Sequence, residues 1–338
     1  MSMYDSIKNF NKQFLYVPKI ENKARLRKYE RFVIAGMGGS GLAAELLLAY
    51  DPSLPVIIHK NYGLPEISVQ DRKKTLIIVD SYSGNTEEAL DAFRTARSLG
   101  FPLAAISIGG KLLNMARKYS IPYVQMPDIG IQPRMGLGFN LRALLKIMRK
   151  DPALILTSKL YHLINAELYR TKGVALAKKL RKSVPVIYTS VRNRAVGYAW
   201  KIKLNETGKI PAFANVLPEL NHNEMSGFDL QARTNVDVRR ARTRVEERKK
   251  LNAPFHFIFL KDAGDHPRIQ KRMKILEKMY RARKLPVEVV MIHGKNRLQA
   301  IFSSLILADW FALSLAEYYG VEAEQVPMVE EFKKLIST

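Results

Sequence analysis

The 338-residue chain contains no cysteine, which excludes disulfides, thiolate metal sites and a cysteine nucleophile. Acid is also scarce: 31 Asp and Glu stand against 55 Lys and Arg, a formal charge of +24. Clustered base can bind a phosphate backbone by releasing counterions. Here the charge is dispersed, and its densest stretch, Arg239–Lys250, also carries Glu246 and Glu247. No nucleic-acid motif accompanies it, so a solvated face or an ion-pair network is the plainer explanation. None of the six histidines forms a His-x-x-x-His pair, and His59, His162, His256, His266 and His293 read as structural or surface residues. No metal site is expected. No uninterrupted apolar run approaches the ~20 residues that span a bilayer. The opening MSMYDSIKNFNKQF has Asp5 and no apolar core of a secretory signal. These absences describe a soluble, cytoplasmic protein without a membrane or nucleic-acid partner. Its hydrophobic fraction of 47% is ample for globular cores, and its length suits about two domains.

Phosphate-type turns are what the sequence does have. Arg31 to Ala35 (RFVIA) is an apolar strand that runs into Gly36-Met37-Gly38-Gly39-Ser40-Gly41 and a helical run, LAAELLLAY. Strand, glycine turn and helix begin a βαβ unit, and helix N-terminal amides favour anions. The spacing Gly36-x-Gly38-x-x-Gly41 also fits the dinucleotide fingerprint, which asks for an acid at the end of the second strand. PVIIHK instead ends in His59, Lys60 and Asn61, which weakens that alternative. A glycine turn serving only tight helix–strand packing is the third possibility. Next, TLIIVD reads as a buried parallel strand leading into Ser81-Tyr82-Ser83-Gly84-Asn85-Thr86 and a helix. Hydroxyls on such a turn can wrap a phosphate, although ordinary capping favours the same residues. Two such turns converge where an open α/β sheet binds its ligand, outside the carboxyl ends of the strands.

The first 28 residues read as a helical, peripheral segment, 29–150 as one α/β domain, 151–182 as a helical linker and 183–338 as a second α/β domain with carboxyl-terminal helices. In that second domain VPVIYTS is a strand. A helix from about Ala195 to Thr207 follows, which Gly208 can close in the left-handed conformation. This places Glu206 in the last helical turn. His222 lies downstream in the loop PELNHNE.

The chain resembles the bifunctional phosphoglucose/phosphomannose isomerases, which are built from two sugar-isomerase (SIS) domains. VIAGMGGSGLAAELL, VDSYSGNTEEAL, PRMGLG, KLNETGKIPAFANVLPELNHNEMSGF and LKDAGDHPRIQKR carry the resemblance, in the family's order and over both halves. It implies two flavodoxin-like, doubly wound parallel-sheet subdomains with flanking helices. It also implies a dimer whose histidine crosses the subunit interface. Carried over by position, Gly38, Gly39 and Ser40 contact substrate, while Ser81, Ser83 and Thr86 hold phosphate. Arg134 stabilises an enediolate, Glu206 is the base, and His222 opens the sugar ring. A carboxyl-terminal lysine is Lys333, with Lys334 as the fallback. The tail Val321–Pro327 departs from the family's Asp-Pro-rich turn, which leaves the lysine register open.

The implied chemistry, aldose–ketose isomerisation of glucose 6-phosphate and mannose 6-phosphate with fructose 6-phosphate, needs these residue types. One carboxylate beside C1 and C2 can make both proton transfers of a cis-enediol route. A fixed cation stabilises the enediolate oxygen, and a group titrating near neutrality suits ring opening. The reaction calls for no cofactor. The alternative is a non-catalytic SIS sugar-phosphate sensor that meets nucleic acid through its basic surface. A sensor needs the phosphate turns but has no use for a base and a histidine.

Overall fold

Apolar runs bounded by turn residues become strands, and their parallel pairing decides what covers them. In the computed structural model, which describes residues 1–229 and 254–336, the chain divides into two compact units, Met1–Ala166 and Glu167–Thr338. In the first unit β1 (Arg31–Ala35), β2 (Val56–His59), β3 (Thr75–Asp80), β4 (Leu103–Ser107) and β5 (Tyr123–Gln125) form one sheet. Its order is β2-β1-β3-β4-β5, the flavodoxin-like order, with Ile34 in register with both Ile58 and Ile78. Every neighbouring pair is parallel. Such a sheet is covered on both faces, so β3 and β4 are buried at every position instead of alternately.

One face packs on α3 (Glu87–Ser98) and α4 (Gly110–Lys118), where Val33, Ile77, Val79 and Ala105 meet Phe93, Ala96 and Leu112. The other is served by α2 (Gly38–Tyr50) and α5 (Leu137–Ile147), which also pack on each other. The amino-terminal segment is not peripheral. After α1 (Met3–Lys8) the chain tightens into a 3-10 turn, Phe10–Leu15, which buries Phe10 and Phe14 edge to face at 5.9 Å. The turn packs against α5, α6 (Asp151–Ser158) and α7 (Leu160–Leu163).

The second unit repeats the plan with β6 (Val184–Ser190), β7 (Phe213–Leu217), β8 (Phe255–Asp262) and β9 (Val287–Ile292) in the parallel order β7-β6-β8-β9. Tyr188, Phe257 and Phe259 pack on Met273, Leu276 and Tyr280 of α10 (Pro267–Ala282). Elsewhere in the unit α8 (Arg170–Leu180) and α9 (Arg194–Glu206) pack on α11 (Arg297–Tyr319). α12 (Pro327–Ile336) ends the described chain.

Two sequence expectations fail here. α11 is long and apolar enough, by length and composition, to cross a membrane, contrary to the estimate from uninterrupted runs; 89% of its apolar window is nevertheless buried inside the protein, the place of a core helix. Ser303, Ser304 and Asp309 break the apolar run, but the average stays high. Asp309 also accepts an ion pair from Lys203 of α9 at 2.6 Å, both side chains 1% exposed. The second failure is at the end of α9. Gly208 does not take the left-handed conformation; Lys209 does, at φ 54°, because Gly208 still donates back to Lys203 at 3.1 Å.

Candidate active site

The strand order of the first sheet reverses between β1 and β3, and the two turns singled out in the sequence leave these strands side by side. Gly38 opens α2 at φ 50°, with nothing within 4 Å of where a Cβ would lie, so the backbone faces open space. Gly39 answers a different need. A Cβ there would sit 2.6 Å from the Pro133 carbonyl, so only glycine lets the turn carrying Arg134 approach. The Ser40 hydroxyl, on a residue 3% exposed, turns inward and accepts the Tyr82 N–H at 3.0 Å, clasping the two turns together.

In the second turn Ser81 Oγ donates to Thr86 Oγ1 at 2.9 Å and accepts the Gly84 N–H at 3.1 Å. Ser83 is exposed, and Thr86, half-buried, stands as the N-cap of α3 without using its side chain as a cap. Hydroxyls and helix amides thus gather at one point, with Glu87 and Glu88 in the first turn of α3. Ser107, at the end of β4, props the turn by donating to the Tyr82 carbonyl at 3.1 Å.

Arg134 is buried in the short turn Pro133–Met135 ahead of α5. Gln13 of the amino-terminal turn holds that loop: its amide donates to the Met135 carbonyl at 2.7 Å and accepts the Gly138 N–H at 2.9 Å. Sequence reasoning gave Gln13 no role, since a lone glutamine leaves no periodic signal. Asp80 was also missed. It ends β3 fully buried, and Asn140 of α5 donates to its Oδ1 at 2.9 Å. In the first unit the turn Gly38–Ser40 is thus in direct contact with the hydroxyl turn Ser81–Thr86 through Ser40 and with the turn bearing Arg134 through Gly39.

Glu206, His222 and Lys333 lie in the second unit. Glu206 is the half-buried last residue of α9. Lys209 Nζ donates to the Glu206 carbonyl at 2.6 Å and to that of Gln325, tying the segment before α12 to this helix end. His222 is exposed at the end of a 3-10 turn, Glu219–His222. The loop beyond it is anchored by Glu224, which accepts the Tyr188 hydroxyl at 2.7 Å and the Asn215 amide. Burial pushes the Tyr188 phenol far up, so it stays a donor. Lys333 and Lys334 are both exposed on α12, and Lys333 pairs with Glu330 at 2.7 Å.

The second sheet has its own reversal point, between β6 and β8. There Ser190 donates to Asp265 Oδ1 at 2.7 Å, and the Asn193 amide reaches Asp265 and Asp262 at 3.2 and 3.1 Å. Arg192 and Arg297 pair with Asp262 at 3.0 and 2.8 Å. Burial raises the Asp265 carboxyl above the usual range. Where the dinucleotide alternative would need an acid at the end of β2, Lys60 follows instead and pairs with Glu45 at 2.5 Å. Among the described residues no group of three or more His, Asp or Glu could hold a metal ion. The basic stretch Arg239–Lys250 lies outside the described residues.

Comparison with known proteins adds four findings. Residues 170–336 match the bacterial phospho-glucose isomerase C-terminal SIS domain. The chain is 30% identical to a bifunctional phosphoglucose/phosphomannose isomerase of Caldicellulosiruptor bescii over 99% of its length and 98% of the relative's. It is equally identical to one of Aquifex aeolicus, over 98% and 97%. Among solved structures, glucosamine-6-phosphate deaminase of Thermotoga maritima superposes with a TM-score of 0.66 at 14% identity, covering 96% of both chains, a likeness of fold.

Proposed function

Because the chain belongs to the bifunctional phosphoglucose/phosphomannose isomerase family, we propose that it interconverts glucose 6-phosphate and mannose 6-phosphate with fructose 6-phosphate. The observation that carries the proposal is the hydroxyl turn Ser81–Thr86, which stands at the reversal point of the first sheet beside an open Gly38. Ser83, Thr86 and the α3 amides receive the phosphate there, and its binding energy is spent on positioning the reacting carbons.

Glu206 takes a proton from C1 of the open-chain ketose and returns one to C2 of the cis-enediol. With one base, the two epimeric aldoses form when the planar intermediate turns either of its faces to Glu206 before C2 is reprotonated. Arg134 lies buried on a clamped turn, so its cation is fixed before reaction, as stabilisation of an enediolate oxygen requires. His222 serves ring opening. Its exposure suits a residue donated to the partner's site in a homodimer. Lys333 is the carboxyl-terminal lysine of the site, with Lys334 in its place if α12 is read one residue later.

Fructose 6-phosphate incubated with the protein in deuterated water and EDTA tests the reading by NMR. The expected result is both aldose 6-phosphates with deuterium at C2. Glu206→Gln lowers kcat by roughly 10²–10⁴-fold while sugar-phosphate affinity stays within a few-fold. Binding without exchange in the native protein would overturn the proposal in favour of a sugar-phosphate sensor.

A further inference from the structure

Asp80 sits directly behind the proposed phosphate turn, as the residue before Ser81. It is a fully buried carboxyl with one oxygen, Oδ2, that accepts no hydrogen bond from the protein. Its partners are neutral: the Asn140 amide from α5 and the Ser40 hydroxyl from α2. Ser40 already accepts the Tyr82 N–H, so its own proton is free to go to Asp80. Four residues from three elements thus form one clasp, and each element carries part of the site. The flanking strands offer Ala35 at the end of β1, with Gly36 just beyond it, and Ile106 and Ser107 from β4, none of them charged. On the adjoining elements the charges include Arg134 ahead of α5 and the buried Arg142 within it, Glu45 of α2, which is paired with Lys60, and Glu87 and Glu88 at the start of α3. Tyr82 stays protonated, its phenol pushed up by burial and by Asp128.

An ionised Asp80 here would lie a few residues' width from a bound phosphate dianion, with little water between them. Like charges in that setting disfavour each other strongly. We propose that Asp80 is a positioning residue whose proton gates the sugar-phosphate site: the neutral carboxyl holds the clasp and tolerates the dianion, and the ionised carboxyl repels it. Burial pushes this carboxyl up to about 7, which brings the gate into the working range of pH. The inference rests on the reading that the Ser81–Thr86 turn holds the phosphate.

The test is calorimetric titration of the full chain with fructose 6-phosphate between pH 6.5 and 8.5, in buffers of different ionisation enthalpy. A phosphomonoester is almost entirely dianionic over the upper part of this range. In the native protein the Kd is expected to rise up to ~10-fold per pH unit above 7, with uptake of up to about one proton at pH 8. In Asp80→Asn both the rise and this uptake disappear. Asn140→Ala, which removes a donor to the carboxylate, moves the break in the Kd profile to higher pH. If Ser83→Ala/Thr86→Ala leaves affinity unchanged, the proposal falls and the phosphate reading falls with it. If that variant weakens binding but Asp80→Asn keeps the native slope and uptake, the gate falls alone. Should Asp80→Asn not fold, an absence of proton uptake in the native protein, or an unmoved break in Asn140→Ala, overturns the proposal.

Discussion

Two crevices in this chain stand at the same place in the same kind of sheet, one between β1 and β3 and the other between β6 and β8. In the first, Ser83 is exposed, Thr86 leaves its cap role unused and Gly38 faces open space. In the second, the hydroxyl that ends β6, Ser190, is already bonded to the carboxylate of Asp265, and the two arginines are engaged by Asp262. The same topology therefore leaves one reversal point open, where we propose that an anion from outside binds, and puts an anion of the chain itself at the other. A reversal point is a place where a ligand can bind; whether it does depends on what the loops have left unpaired.

The largest effect should come from emptying the first crevice. Ser83→Ala/Thr86→Ala removes two hydroxyls, each worth a hydrogen bond to a charged group, and should raise KM for fructose 6-phosphate by roughly 100-fold. Steady-state kinetics at fixed ionic strength would show it. Asp265→Ala breaks the second crevice instead. It leaves the proton of the buried Ser190 hydroxyl without its acceptor, while the Asn193 amide keeps Asp262, and should cost roughly 1–3 kcal/mol in denaturant unfolding with KM unchanged. A change in KM with no loss of stability would reverse the comparison and make the second crevice a ligand site. The smallest effect is expected on the surface. Glu330→Gln releases Lys333 from an ion pair whose side chains are 56% and 55% exposed, so stability should move by less than about 0.5 kcal/mol. A shift in kcat in that variant, measured beside Lys334→Ala, would indicate that Lys333 is the lysine that works.

Much of this contrast could be read from the sequence on one side only. RFVIA, TLIIVD and VPVIYTS became strands because dense apolar runs between turn residues leave a chain few other options. The hydroxyl turn was legible because three Ser and Thr hydroxyls in six residues is a local pattern. The Asp265 network was not, since Ser190, Asn193 and Asp265 meet only after β8 pairs with β6. Asp80 closes an apolar strand and looks like an exposed end, and nothing local records its burial. Lys209 at positive φ went unread for the opposite reason: the neighbouring glycine was the better candidate by propensity. α11 shows that length and composition do not distinguish a core helix from a membrane helix.

The Gln13 clamp matters for anyone who trims this protein. Removing the first sixteen residues would spare every strand of the first sheet but strip the buried Ile7, Phe10 and Phe14 from the core. The loop bearing Arg134 would also lose its three bonds to Gln13. Such a fragment loses core packing and the support of Arg134 together, whereas Gln13→Ala would remove the support alone and give a well-folded preparation with poor turnover, a failure easily mistaken for the wrong substrate.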